Sequence, residues 1–107
     1  EENSGANTTL GVVATNLALD KAMAHRVAIM AQDGVSRAIY PVHTPFDGDT
    51  IFVVSTGIKK MPVQAASMVA RLGSAAADVV ARAIGRGVYA AKGLGSFPGY
   101  REQIAGN

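Results

Sequence analysis

Two short apolar segments constrain the fold of this chain most strongly. Thr9–Thr15 and Thr50–Thr56 are rich in β-branched residues and lack the polar alternation of a strand with one face in water. Such continuous apolar runs are typical of strands that are covered on both faces. Two strands form a poor sheet by themselves. We therefore expect this chain to be part of a larger sandwich whose remaining strands lie on another chain.

Helical periodicity follows the first predicted strand. Asp20 is a candidate N-cap residue, and apolar residues recur at helical spacing from Met23 to Ile39. Gly34 interrupts this pattern and weakens the prediction for its second half, and Pro41 is expected to end the helix.

A second, alanine-rich helix is predicted from about Val63 to Ala91. Its glycines, Gly73, Gly85 and Gly87, each weaken a helix interior by about 1 kcal/mol. Small residues on one helix favour close packing against another helix, and fraying near Gly85 is the alternative. Residues 93–107 are predicted to form a polar tail. The order strand–helix–strand–helix indicates the α/β class.

Composition excludes several classes of protein. The chain contains no cysteine, so it has neither disulfides nor a thiolate site, which fits a cytoplasmic protein. Its net charge of +2 comes from scattered lysines and arginines, without the clustered basic patch of a nucleic-acid-binding surface. No run reaches the roughly 18 apolar residues of a membrane span, and the acidic residues 1–5 are unlike a signal peptide. We expect neither nucleic acid nor a membrane as a partner.

The tripeptide Asn7-Thr8-Thr9 lies at the start of the first predicted strand. A threonine hydroxyl is a weak nucleophile unless a base lies nearby. If the chain were cut before Thr8, the new α-amine would have a reference pKa of about 7.7–8.0 and could accept the hydroxyl proton. The tripeptide therefore suggests self-cleavage between Asn7 and Thr8. Residues 1–7 would then be a pre-cleavage linker, and residues 8–107 the nucleophile-bearing subunit.

Asp47-Gly48-Asp49 precedes the second predicted strand. If this segment is extended, both carboxylates point to one side, where they could hold the Thr8 amine and orient its hydroxyl. The alternative interpretation is an ordinary solvated turn. The nearby His43 could tune this site, but we expect it to hydrogen-bond to the loop backbone, and we expect His25 to be solvated on the first helix. Two histidines without metal-ligand spacing do not indicate a zinc site.

Several motifs, in this order, resemble a known family. It comprises the L-aminopeptidase/D-esterase, the β-peptidyl aminopeptidases and the endo-type nylon-oligomer (6-aminohexanoate oligomer) hydrolase. The matching segments are Asn7–Asn16, Ala31–Gly34, Arg37–Ile39 and Pro41–Thr50. The aminopeptidase branch can differ at the acidic positions. The nylon-oligomer hydrolase has both Asn-Thr-Thr and Asp-Gly-Asp-Thr, so this chain is closer to it in motif.

The resemblance implies a precursor that cleaves itself before Thr8, with products that stay together in an α/β/β/α sandwich of the N-terminal-nucleophile-hydrolase type. It implies amide hydrolysis through an acyl-enzyme, without metal or cofactor, on small peptides, amino-acid amides or ω-amino-acid oligomers. Thr8 would be the nucleophile and its amine the base, supported by Asp47 and Asp49. The larger subunit would carry the oxyanion donors and most of the pocket, in an oligomer of heterodimers.

Two other functions are compatible with the sequence. An acetyl-transferring relative would use the same acyl-enzyme with an amine as acceptor in place of water. A non-catalytic subunit would only bury its strands against a partner. As long as the Asn7–Thr8 bond is intact, Thr8 has no free amine and the molecule is a proenzyme.

Overall fold

The computed structural model describes residues 7–105; the predicted linker, apart from Asn7, and the last two residues of the tail lie outside them. Its elements are β1 (Leu10–Leu17), α1 (Lys21–Ala38), β2 (Thr50–Lys59), α2 (Ala65–Ala90) and α3 (Tyr100–Ala105). The strands β1 and β2 pair in parallel, with register from Leu10–Thr50 to Thr15–Ser55. The predicted α/β class and the order of the first four elements are confirmed.

The helix α1 begins and ends as predicted. Asp20 is its N-cap, because its Oδ1 accepts the backbone N–H of Met23 at 2.8 Å. The helix continues through Gly34 to Ala38. A Cβ on Gly34 would meet the backbone of Ala77 on α2, so this glycine permits close helix packing. The C-cap is Ile39, shortly before Pro41, so the predicted end of the helix is confirmed, and Gly34 does not interrupt it.

Close packing between the helices also occurs at Gly73, where a Cβ would meet the side chain of Met30. The other two glycines of α2, Gly85 and Gly87, have nothing within 4 Å of an added Cβ. The helix nevertheless continues to Ala90, so the alternative of fraying near Gly85 is wrong. Glycines thus permit close approach of α1 and α2 at Gly34 and Gly73, whereas Gly85 and Gly87 make no such contact.

The short helix α3 lies in the segment predicted to be a polar tail, so that prediction is wrong. Glu102, at the third position of α3, accepts the backbone N–H of Gly99 at 2.8 Å. A Glu at this position that reaches back to the N-cap amide is half of a capping box. The same Oε1 accepts the N–H of Gly93 at 3.0 Å, which ties the helix to the preceding loop.

One face of the sheet is covered and the other is not. The core lies between the sheet and the two long helices and consists of Val27, Ala31, Val35, Ile51, Ala76 and Val80. On the opposite face Val12 is 67% exposed and its register partner Phe52 is 55% exposed. The expected cover on both faces is thus absent from the described residues, and an apolar sheet face is left open. No helix within residues 7–105 has the length and apolarity needed to cross a membrane.

Candidate functional site

Backbone hydrogen bonds place the Asn7-Thr8-Thr9 segment beside the Asp47-Gly48-Asp49 segment. Asn7 N–H donates to the carbonyl of Phe46 at 3.0 Å, and Gly48 N–H donates to the carbonyl of Asn7 at 2.8 Å. Thr50 N–H then donates to the carbonyl of Thr9 at 2.9 Å. The parallel pairing of β1 and β2 therefore extends backward past the strands. This extension brings the two predicted motifs together.

Thr8 lies directly against Gly48. A Cβ built on Gly48 would be 3.1 Å from the Thr8 Oγ1, which is closer than most such contacts. Glycine at position 48 thus leaves room for the Thr8 side chain, which is exposed. The carbonyl that precedes Thr8 is the one that accepts the Gly48 N–H. The hydroxyl, the Asn7–Thr8 peptide bond and a backbone donor therefore lie at one place.

The Asp49 carboxylate is buried, with a side chain that is only 5% exposed. Its Oδ1 accepts the backbone N–H of Thr9 at 3.0 Å. Its Oδ2 lies 2.9 Å from the Nδ1 of His43. Asp49 therefore fixes the amide that immediately follows Thr8, and the solvated-turn interpretation does not describe this residue.

Asp47 holds its own loop. Its Oδ2 accepts both the backbone N–H and the Oγ1 hydroxyl of Thr44, each at 2.8 Å. These two donors, the backbone N–H first, hold the pKa of Asp47 below its ordinary value, with a smaller contribution from His43 and a small opposing effect of burial. Asp47 thus remains ionised and anchors the turn that carries Gly48 and Asp49.

His43 differs from its sequence-based expectation. It contacts the carboxylate of Asp49, where we expected a hydrogen bond to the loop backbone. Among residues 7–105 it is the one residue other than glycine with a positive φ, 56°. Sequence reasoning missed this contact because a histidine six residues before an aspartate has no recognisable spacing signature. His25 is exposed on α1, as predicted.

The site lies at the end of the sheet where β1 and β2 begin. A cavity of about 570 Å³ lies between the first halves of α1 and α2, and its lining, which includes Met23, Met30 and Val69, shares no residue with the site. Within residues 7–105 no group of three or more acidic or histidine side chains is arranged to hold a metal ion. The Thr8 hydroxyl and the Asn7 carbonyl both lie beside Gly48, an arrangement that can support attack by this hydroxyl on this carbonyl.

Comparisons with known proteins agree with the motifs. The model of Peptidase family S58 matches residues 1–101. An uncharacterized aminopeptidase of Mycobacterium tuberculosis is 42% identical over an alignment 113 residues long, which covers 97% of this chain and 33% of the relative. An uncharacterized aminopeptidase of Mycobacterium leprae is 41% identical over an alignment that covers 91% of this chain and 29% of the relative. The chain thus spans about a third of the length of these relatives.

A 6-aminohexanoate-oligomer endohydrolase of Paenarthrobacter ureafaciens is 33% identical over 66 residues, which cover 62% of this chain and 19% of that enzyme. The resemblance inferred from the motifs around Thr8 and Asp47–Asp49 is therefore confirmed at the level of the family. The family model covers nearly the whole sequence and includes both motifs. This chain belongs to Peptidase family S58.

Proposed function

We propose that this chain is the nucleophile-bearing part of a self-processing amide-bond hydrolase and that Thr8 is its nucleophile. The observation that carries the proposal is the pairing of Asn7–Thr9 with Phe46–Thr50, which brings a hydroxyl, its preceding carbonyl and Asp49 together. Membership in a peptidase family supports amide hydrolysis as the reaction.

Self-cleavage would begin with attack of the Thr8 Oγ1 on the carbonyl carbon of Asn7. The C–N bond breaks, the nitrogen takes up a proton and becomes the Thr8 amine, and an ester links Asn7 to the Thr8 oxygen. Water then hydrolyses the ester to the Asn7 carboxylate and the free hydroxyl. The Gly48 N–H, 2.8 Å from the Asn7 oxygen, is in position to stabilise the negative charge that develops there.

Turnover would use the same hydroxyl together with the released amine. With a reference pKa of about 7.7–8.0, the amine is partly neutral at physiological pH and can take the hydroxyl proton. The hydroxyl attacks the substrate amide, its amine product leaves, and water hydrolyses the acyl-enzyme. Asp49 would fix the backbone at Thr8–Thr9, while Asp47 would hold the loop that carries Asp49.

The partner we propose is a larger subunit from the same precursor. The open sheet face, with Val12, Phe52 and Val54 exposed, supports this assignment because apolar strand faces need cover. The mycobacterial relatives are about three times as long as this chain, which is consistent with a precursor that also contains a larger subunit. Residues 8–107 and the larger subunit would together form an α/β/β/α sandwich. Residues 1–7, which precede the proposed cut, would be the C-terminal end of the larger subunit. The small and large subunits would form a heterodimer, and several heterodimers would assemble into an oligomer.

Small peptides and amino-acid amides are the substrate class that we favour, with ω-amino-acid oligomers second. The similarity to the aminopeptidase of M. tuberculosis extends over 97% of this chain. The similarity to the nylon-oligomer hydrolase extends over 62%.

The test compares the wild-type full-length protein with Thr8→Ala and with the neighbouring control Thr9→Ala. Each is assayed on amino-acid p-nitroanilides and on 6-aminohexanoate oligomers. We expect Thr8→Ala to stay uncut and inactive, whereas Thr9→Ala, which keeps the amide that binds Asp49, is cut and active. A Thr8→Ala protein that is cut and turns over substrate would refute the proposal. Faster transfer of the acyl group to an added amine than to water would instead indicate an acyltransferase.

A further inference from the structure

We propose that His43 is a positioning residue, whose imidazole holds the Asp49 carboxylate against the backbone amide that follows Thr8. This inference rests on the proposed function, in which Thr8 is the nucleophile. Its basis is a continuous chain of contacts. The Nδ1 of His43 lies 2.9 Å from the Asp49 Oδ2, and the Asp49 Oδ1 accepts the Thr9 N–H at 3.0 Å.

The two oxygens of Asp49 connect separate parts of the chain. One oxygen binds the start of β1, and the other binds the loop before β2. A carboxylate that is 5% exposed must find donors within the protein, because an unpaired buried charge is strongly unfavourable. The His43 side chain, itself 41% exposed, supplies the contact to Oδ2. Without the imidazole, one oxygen of Asp49 would lose its donor and the carboxylate could rotate.

The backbone of His43 supports a role for its side chain. A φ of 56° is unfavourable for a residue with a Cβ, and glycine or asparagine would suit it better. The contact with Asp49 explains why a histidine stands there, since unfavourable backbone conformations persist where the surrounding structure holds them. With a hydrogen on Nδ1, the ring donates to the carboxylate whether it is neutral or protonated.

The position of Asp49 should affect chemistry more than folding. Its hold on the Thr9 amide fixes the strand end from which the Thr8 side chain projects. Small displacements of a reacting group lower rates sharply, by up to about 100-fold for 1 Å. A loose Asp49 would therefore slow both self-cleavage and turnover while the core, which lies between the sheet and helices, stays packed.

The experiment uses His43→Gly and His43→Asn in the full-length protein. Both residues accept a positive φ, but only asparagine carries an N–H donor near the position of Nδ1. We expect the glycine variant to lose about 10- to 100-fold in cleavage rate and in kcat. The asparagine variant should remain close to wild type. The matched control is His25→Ala, which removes the exposed histidine of α1 and should change neither rate.

A double variant tests whether His43 acts through Asp49. In an Asp49→Ala background, His43→Gly should cause no further loss, because the carboxylate that His43 positions is already gone. Additive losses overturn the inference, and so does a folded His43→Asn protein that loses tenfold or more. These outcomes leave the nucleophile intact, whereas a cut and active Thr8→Ala protein refutes the proposed function whatever the His43 variants do.

Discussion

The start of the sheet and the helix pair behind it are held together by different interactions. Around Thr8 the contacts are polar: ladder hydrogen bonds from Gly48, carboxylate bonds to Thr9 and an imidazole on Asp49. Between α1 and α2 the contacts are apolar and close, with Gly34 packed against the backbone of α2. The first region holds the proposed nucleophile in place, and the second supplies the buried core.

This difference predicts two classes of variants. Substitutions at the start of the sheet should lower activity while the unfolding temperature changes little. Substitutions between the helices should lower the free energy of unfolding while each folded molecule keeps its activity. The following predictions test this separation, from the largest expected effect to the smallest.

Thr8→Ala should abolish turnover, because the variant removes both the proposed nucleophile and the cleavage that would release its amine base. Thr8→Ser keeps a hydroxyl at the same position and should retain measurable activity. The measurement is kcat on amino-acid p-nitroanilides, with thermal unfolding of the uncut Thr8→Ala protein recorded beside it. An unfolding temperature that collapses in Thr8→Ala would break the separation between the two regions.

Asp49→Ala should assemble but lose about 10²- to 10⁴-fold in rate, as expected when a positioned group of the catalytic machinery is removed. Two quantities are measured: the rate at which the Asp49→Ala precursor cleaves itself, and the kcat of the cleaved fraction. Near-normal turnover would reduce Asp49 to a structural link between β1 and the loop.

Gly34→Ala should destabilise the protein by about 1–3 kcal/mol, because its Cβ would overlap the backbone of α2. Gly85→Ala is the matched control: an added Cβ there has nothing within 4 Å, so the change should stabilise α2 by about 0.4–1 kcal/mol. Denaturant unfolding measures both free energies. Equal losses in the two variants would show that close helix packing at Gly34 is not the cause.

Thr44→Val should raise the pKa of Asp47 toward its ordinary value, since the variant removes the hydroxyl donor and leaves the larger backbone donor in place. A carboxyl with a lowered folded-state pKa stabilises the fold above its unfolded value, about 4, and this stability is lost as the pH falls through the lowered value. The variant should therefore lose less stability between about pH 5 and 2 than wild type. A carboxyl titration followed by NMR and unfolding over this range measure both effects.

Arg37→Ala should have the smallest effect. The pair between Arg37 on α1 and Asp78 on α2 is about half exposed on both sides. Exposed pairs contribute about 0–1 kcal/mol, and added salt weakens them further. Unfolding at low and high salt measures the contribution, and a loss of several kcal/mol would show that this pair is coupled to the core.

Local signals made most of the fold predictable. Both strands follow from their continuous apolar runs, and the start of α1 follows from Asp20. The persistence of α1 through Gly34 could not be predicted, because it depends on contact with α2, which is distant in sequence. The helix α3 had a readable signal in Gly99 and Glu102, which form half of a capping box.

The candidate site was predictable in its members and less so in its geometry. The motifs named Thr8, Asp47 and Asp49, and the structure brings the segments that carry them together. The pairing of Asn7 with Gly48 depends on strand register, and the role of His43 depends on a loop conformation with positive φ. Neither property is encoded in a short spacing of residues.

The intact masses of the polypeptides in the purified full-length protein test the central claim most directly. For the wild-type protein we predict two polypeptides, the smaller of which begins with Thr8, and for Thr8→Ala a single uncut chain. A smaller wild-type polypeptide that begins at any other residue, in an active preparation, would contradict Thr8 as the nucleophile. So would an uncut wild-type chain that is fully active.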